Sequence, residues 1–235
     1  MMWRMSGMNP PRIGPVAACV FDAYGTLFDV GTISPAVRDE LPGHWQALAQ
    51  LWRAKQLQYT WLRGLAGHHA DFWQVTGDAL DYAMENLGLG GADLRERLLN
   101  QYLHISVYSE VEQTLAQLKS QGVRLAVLSN GTPAMLATAL ATGGIAAYFD
   151  AVISVEEVGV FKPHPSVYAL APQRLGVPKE CTCFVSSNGW DACSAKAFGF
   201  RVLWCNRSAQ PAERIPLAPD GEVRDLSQLP SCLAA

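Results

Sequence analysis

Four polar stretches carry residue types that suit covalent chemistry: Asp22, Ser129-Asn130, Lys162, and Ser186 through Asp191. An ionised carboxylate such as Asp22 can act as a nucleophile. A second carboxylate, Asp191, can position or activate a water molecule. Two close carboxylates resist joint ionisation, and a lysine such as Lys162 relieves that conflict. Ser129 and Asn130 offer hydroxyl and amide donors for an anion. Taken singly, each has a plainer reading. Ser129-Asn130-Gly131 fits a turn, Lys162-Pro163 a solvated loop and Asp191 a helix N-cap. Their order along the chain is what joins them.

Each stretch follows a segment that reads as a buried strand. The apolar run Val16-Ala17-Ala18-Cys19-Val20 precedes Asp22, and Val123 to Leu128 precedes Ser129. Ala151 to Ser154 forms the third strand ahead of the Lys162 loop, and Cys181 to Val185 precedes Ser186. Arg201 to Trp204 is the last clear strand. Between them lie helical segments: one from a Ser109 cap to Gly122, one opened by Pro133 and broken at Gly143-Gly144, one from Pro165 to Leu175, and one from Ala192 to Phe198. Alternating strands and helices predict an α/β fold with a doubly wound parallel sheet. In such a sheet the carboxyl ends of the strands share one edge, so the four stretches converge there.

A different pattern fills residues 34–105. After the helix-start chemistry of Thr32-Ile33-Ser34-Pro35 and the break at Pro42-Gly43, helices are expected from His44 to Arg63, with Gly64 and Gly67 closing the segment. Two more run from Asp71 to Leu87 and from Ala92 to His104, with no strand signal between. This block is expected to form an all-helical cap domain inserted into a core made of residues 16–33 and 106–235. Residues 1–15 hold four Met and the pair Pro10-Pro11 but no continuous apolar run. They read as a loose leader and not as a secretory signal.

Composition bounds the function classes. The chain has 235 residues, is 49% hydrophobic and carries a net charge of -3, which gives no case for nucleic acid or an anionic membrane. No stretch is apolar enough for long enough to span a bilayer, so a cytoplasmic location is expected. Charged residues are 17% of the chain, below the usual share of about 25%, which hints at extra buried surface. Cys19, Cys181, Cys183, Cys193, Cys205 and Cys232 lie in or beside apolar runs and form no CxxC pair. They read as small buried hydrophobes; Cys181 and Cys183, one residue apart, would share a strand face. His68-His69 belong to no ligand set, and no metal or other cofactor is called for.

These motifs, in this order, resemble the haloacid dehalogenase superfamily. Phe21-Asp22-Ala23-Tyr24-Gly25-Thr26-Leu27-Phe28-Asp29, Trp52 to Arg63, and Ser186-Ser187-Asn188-Gly189-Trp190-Asp191 resemble its L-2-haloacid dehalogenases in particular. Metal-dependent phosphatases of the superfamily carry an acid/base Asp two residues after the nucleophile, where this chain has Tyr24. The resemblance implies hydrolysis of short (S)-2-haloacids to (R)-2-hydroxyacids plus halide, with an aspartyl ester on Asp22 and inversion at C2. It implies Arg53 and Asn130 as halide donors, Ser129 as a substrate-carboxylate donor, and Thr26 as support for Asp22. Ser186 and Asn188 would orient Asp191 and Lys162. Tyr24, Leu57, Phe72 and Trp190 would wall an apolar pocket, with Tyr168 a further site position. The family is commonly dimeric, so a homodimer is expected.

Two positions depart from the family pattern. His164 stands where Asp or Asn is usual, and Gly189 where a slightly larger residue is usual. Three alternatives stay open on the residues: a metal-dependent phosphatase, which Tyr24 opposes, a ring-opening hydrolase of a strained cyclic amino acid, and a non-catalytic relative, which would be expected to lack one of these groups.

Overall fold

The computed structural model describes residues 11–31, 35–41 and 43–233. Six strands form one all-parallel sheet: β1 Ala18–Phe21, β2 Arg124–Ser129, β3 Ala151–Ser154, β4 Thr182–Ser186, β5 Arg201–Cys205 and β6 Gly221–Val223. Their spatial order is β3-β2-β1-β4-β5-β6. The central strand, β1, buries all four residues, as a strand covered on both faces must. Its neighbours β2 and β4 diverge on either side, and the crevice outside the carboxyl ends at such a switch point is where open α/β sheets bind ligands. Phe21 is level with Val127 and Val185, so Asp22 emerges beside the ends of both flanking strands.

Nine α-helices complete the described residues: α1 Pro35–Asp39, α2 Trp45–Ala66, α3 Phe72–Asn86, α4 Ala92–Leu103, α5 Val111–Ser120, α6 Pro133–Thr142, α7 Pro165–Leu175, α8 Gly189–Phe198 and α9 Leu229–Leu233. The first four fall between β1 and α5 with no strand among them. They share their own apolar cluster, which includes Leu48, Trp52, Leu80 and Leu98. The segments leading into and out of this insertion pair with each other. Asp29 N–H donates to the Ser106 carbonyl at 2.9 Å, and Tyr108 N–H to that of Leu27 at 3.1 Å. The doubly wound sheet and its helical insertion are therefore as the alternation of elements implies.

Local chemistry explains most of the boundaries. Asp71 caps α3 by accepting from Gln74 N at 2.8 Å, and Gly67 closes α2 in the left-handed region at φ 68°. Gly64 does not end α2 but lies inside it. Ser109 is not a cap either: α5 starts later, and its N-cap position is Glu110, whose side chain does not cap the helix but pairs with Arg207 at 2.6 Å. Cys181 lies ahead of β4 in a single 3₁₀ turn and is exposed, so it does not share a strand face with Cys183. The other five cysteines are buried, and all six are free. β6 has no sequence signal; it is three residues long, opens on a glycine and follows a loop with Pro211, Pro216 and Pro219.

The helix-start turn at 32–34, Pro42 and residues 1–10 of the expected leader lie outside the described residues. The rest of that leader is tied to α9 and to β5. Ile13 N–H donates to the Cys232 carbonyl, and Arg201 donates to the carbonyls of Ile13 and Pro15, each at 3.0 Å.

Candidate active site

Asp22 follows the last residue of β1, is 6% exposed and has every neighbour it needs as an anion. Its Oδ2 accepts from Asn188 Nδ2 at 2.9 Å, from Thr26 Oγ1 at 3.2 Å and, more loosely, from Ser186 Oγ at 3.4 Å. Its Oδ1 accepts from Lys162 Nζ at 3.0 Å. Thr26 in turn accepts from Ser187 N at 2.8 Å, so the turn after β1 is tied to the turn after β4.

Lys162 bridges two carboxylates. Its Nζ also donates to Asp191 Oδ2 at 2.9 Å, and it is 1% exposed against 0% for Asp191. Asp191 sits in the first turn of α8, and its Oδ1 accepts from the Tyr168 hydroxyl at 2.7 Å. Burial pulls the lysine down, but the Asp191 and Asp22 charges outweigh it and hold its pKa above the usual lysine value. Burial pushes Asp191 up; Lys162 opposes that, and the Asp22 charge adds to it. Burial, aided by the Asp191 charge, holds the Tyr168 hydroxyl protonated well past its ordinary range. The set is one nucleophile-grade carboxylate, one cation and one carboxyl biased toward taking a proton.

The helical insertion supplies a second cation. Arg53 on α2 donates to Asn188 Oδ1 at 3.3 Å, and Asn188 is also a partner of Asp22. Tyr24 lies under the insertion. Its ring centroid is 5.9 Å from that of Phe72 and stacks on Tyr102 at 5.2 Å. Its buried hydroxyl has no hydrogen-bond partner among the described residues, and burial first, then Tyr102 and Asp22, keep its pKa well above the ordinary phenol value. A cavity of about 50 Å³ adjoins Arg53, between Trp52 and Tyr102. A larger one, about 500 Å³ and open to solvent, is lined by Phe161, Lys162 and Trp190 on the core side and by Thr60 and Trp61 of α2.

Residues 16–199 match the haloacid dehalogenase-like hydrolase family. (S)-2-haloacid dehalogenase 1 of a Pseudomonas species, strain CBS-3, is 44% identical over 220 residues, covering 93% of this chain and 97% of that protein. The chain belongs to the L-2-haloacid dehalogenases. A solved L-2-haloacid dehalogenase superposes with a TM-score of 0.89 at 42% identity, covering 93% of this chain and 99% of the other. The enzyme of Xanthobacter autotrophicus, solved with chloropropionic acid covalently bound, superposes with a TM-score of 0.83 at 40% identity, covering 92% and 97%.

Within this L-2-haloacid dehalogenase frame, the structure brings together Asp22, Thr26, Lys162, Tyr168, Ser186, Asn188, Asp191 and Arg53. One expectation is corrected. The Ser186 and Asn188 side chains bond to Asp22 and not to the side chains of Asp191 or Lys162; Asn188 meets Asp191 through its backbone carbonyl, which accepts from Asp191 N at 3.1 Å as α8 begins. Asn130 is close by a different route, its Oδ1 accepting from Lys162 N at 3.0 Å. Ser129 ends β2, is fully buried, and its Oγ accepts from Gly131 N at 3.0 Å. Leu57 is half-buried on α2 beyond Arg53. Trp190 faces the larger cavity and packs edge-on against Trp61 at 5.4 Å.

Both departures from the family pattern find structural partners. His164 takes over the cap of α7, its Nδ1 accepting from Ser166 N at 3.2 Å. A Cβ at Gly189 would lie 2.8 Å from Glu213 Cγ, so the Glu213 side chain fills that space. Three polar residues were assigned no part on the sequence: Gln56, Thr76 and Tyr102. Gln56 lies within the Trp52 to Arg63 stretch and the other two in no motif, and a glutamine or threonine within a helix reads as a solvated position until its burial is seen.

Proposed function

We propose that the protein hydrolyses short (S)-2-haloacids to (R)-2-hydroxyacids and halide. The observation that carries this reading is Asp22, at the end of the central strand, sharing Lys162 with a second buried carboxylate. Asp22 Oδ attacks C2 from the face opposite the halogen; the C–X bond breaks, halide leaves with the electron pair, and an ester inverted at C2 results. Water then attacks the carboxyl carbon of that ester and the acyl–oxygen bond breaks, so the C2–O bond survives into the product. Two easier displacements replace one difficult one.

Thr26, Asn188 and Ser186 aim Asp22, and the Lys162 cation pairs with it. Asp191 takes the proton of the hydrolytic water, a part that suits a carboxyl whose burial favours the neutral form. Arg53 and Asn130 receive the halide as its charge develops. Ser129 and the backbone amides near α6 receive the substrate carboxylate. Tyr24, Leu57, Phe72 and Trp190 supply apolar walls, and Tyr168 holds Asp191. Tyr24 occupies the position where phosphatase relatives carry their acid/base Asp. Among the described residues, no three His, Cys, Asp or Glu side chains cluster as a cation site.

The relatives' reaction, a cytoplasmic location and a homodimer come to this chain as parts of the same proposal. No helix among the described residues is long and apolar enough to cross a membrane. Six free thiols, five of them buried, suit a reducing compartment. Residues 34–105 act as the cap and residues 16–33 and 106–235 as the core. The test is direct. Asp22→Asn is expected to release no halide from L-2-chloropropionate, and one turnover in heavy-oxygen water is expected to label Asp22. Label appearing first in the product would mean that water attacks C2 itself.

A further inference from the structure

The helical insertion buries a polar array whose chemistry is directional. Gln56 lies one turn beyond Arg53 on α2 and is 1% exposed. Its Oε1 accepts from Arg53 Nη1 at 2.8 Å. Its Nε2 donates to Thr76 Oγ1 at 2.7 Å. Thr76 has one hydroxyl proton, and that proton goes to the Phe72 carbonyl at 2.6 Å. Thr76 can therefore only accept from Gln56. A flipped amide would set Oε1 against a hydroxyl with no proton to give and Nε2 against the Arg53 donors. The buried threonine thus fixes which end of the glutamine faces the arginine.

The array reaches the reacting centre along two paths. Through Arg53 it runs to Asn188 and from there to Asp22. Through the Tyr102 hydroxyl, 3.1 Å from Gln56 Nε2, it meets the ring that stacks on Tyr24. An arginine on a long side chain has many rotamers, and an unpositioned guanidinium loses much of its value to a developing anion. The small cavity beside Arg53 makes this sharper, since close packing alone does not fill the space there.

We infer that Gln56, oriented by Thr76, is the positioning residue that aims Arg53 at the departing halide. The inference rests on the proposed halide role of Arg53 and names how that role is set. A weaker leaving group depends more on the aimed cation, so the effect must differ between halogens.

The experiment compares kcat and KM for L-2-chloropropionate and L-2-bromopropionate in wild type, Gln56→Met and Thr76→Val. Gln56→Met is expected to lower kcat for the chloro acid about tenfold, less than deleting a charge-stabilising donor outright. KM should stay nearly constant, and the bromo-to-chloro ratio of kcat should rise. Thr76→Val, which leaves Gln56 its Tyr102 contact, should move the ratio the same way by less, and it carries the test if Gln56→Met does not fold. Equal losses on both acids, or an unchanged ratio, would overturn the inference while halide release by wild type keeps the dehalogenase reading intact. Wild type that releases halide from neither acid overturns both.

Discussion

Lys162 holds two carboxylates at a buried site. Removing one partner from a buried ionic set leaves charge uncompensated and costs about 3–5 kcal/mol. Lys162→Met should therefore destabilise the fold strongly at neutral pH. In that variant the facing Asp22 and Asp191 carboxylates raise each other's folded-state pKa. A raised folded pKa favours the fold at low pH and penalises it as pH rises through that value. The gap in urea midpoint between variant and wild type should accordingly narrow under acid conditions; a constant gap would mean that the carboxylates do not face each other. The native lysine is also raised, so its stabilising charge is complete below the ordinary lysine range and is lost only above it. Activity is expected to stay level up to about pH 10, where a free lysine would already be titrating. A fall in kcat/KM well before that would mean that Lys162 is not the cation that serves the reaction.

The elements place these residues by strand ends and close approaches. Gly131, just past β2, is where backbone meets an aromatic ring. A Cβ there would lie 2.9 Å from Tyr24 Cε2, and Tyr24 is held by Phe28, Phe72 and Tyr102. Gly131→Ala should force that cluster apart at a cost of about 1–3 kcal/mol and lower kcat; unchanged melting and turnover would show that the ring has room. The strand ends were legible in the sequence, because a short apolar run followed by a polar turn is a local pattern. Asp22, Lys162 and Asp191 could be read for that reason. What Ser186 and Asn188 touch could not be read, since it depends on how far α8 rotates Asp191 away from them. Gln56 and Thr76 were illegible for a related reason. Each sits on a helix whose inward polar face makes sense only once α2, α3 and α4 are packed. β6 was hidden because three residues hydrogen-bonded at a sheet edge leave almost no periodic signal.

At the scale of the molecule, the sheet's carboxyl edge is closed by the helical insertion, and Arg53 is a charge that reaches from one to the other. The far end of α2 exposes Leu62 and Leu65, at 53% and 87%, beside the half-exposed Trp61. The proposed homodimer has apolar surface available there. A dimer is expected in sedimentation, and Leu65→Glu should shift it toward monomer without lowering the melting temperature of the monomer; a wild-type monomer would end that proposal. The lysine shared between Asp22 and Asp191 has a consequence for traffic through the site. With Arg53 counted in, two carboxylates face two cations, so their formal charges cancel. A haloacid enters as an anion and halide departs as one, so the ester-bearing enzyme is neutral again and alkylation proceeds as an exchange of one anion for another. Hydrolysis breaks that symmetry. Water enters uncharged and the hydroxyacid leaves as an anion, which strands a proton on Asp191. In the proposed cycle that proton must escape to solvent before another substrate is turned over, so the medium acidifies by one equivalent for every halide set free.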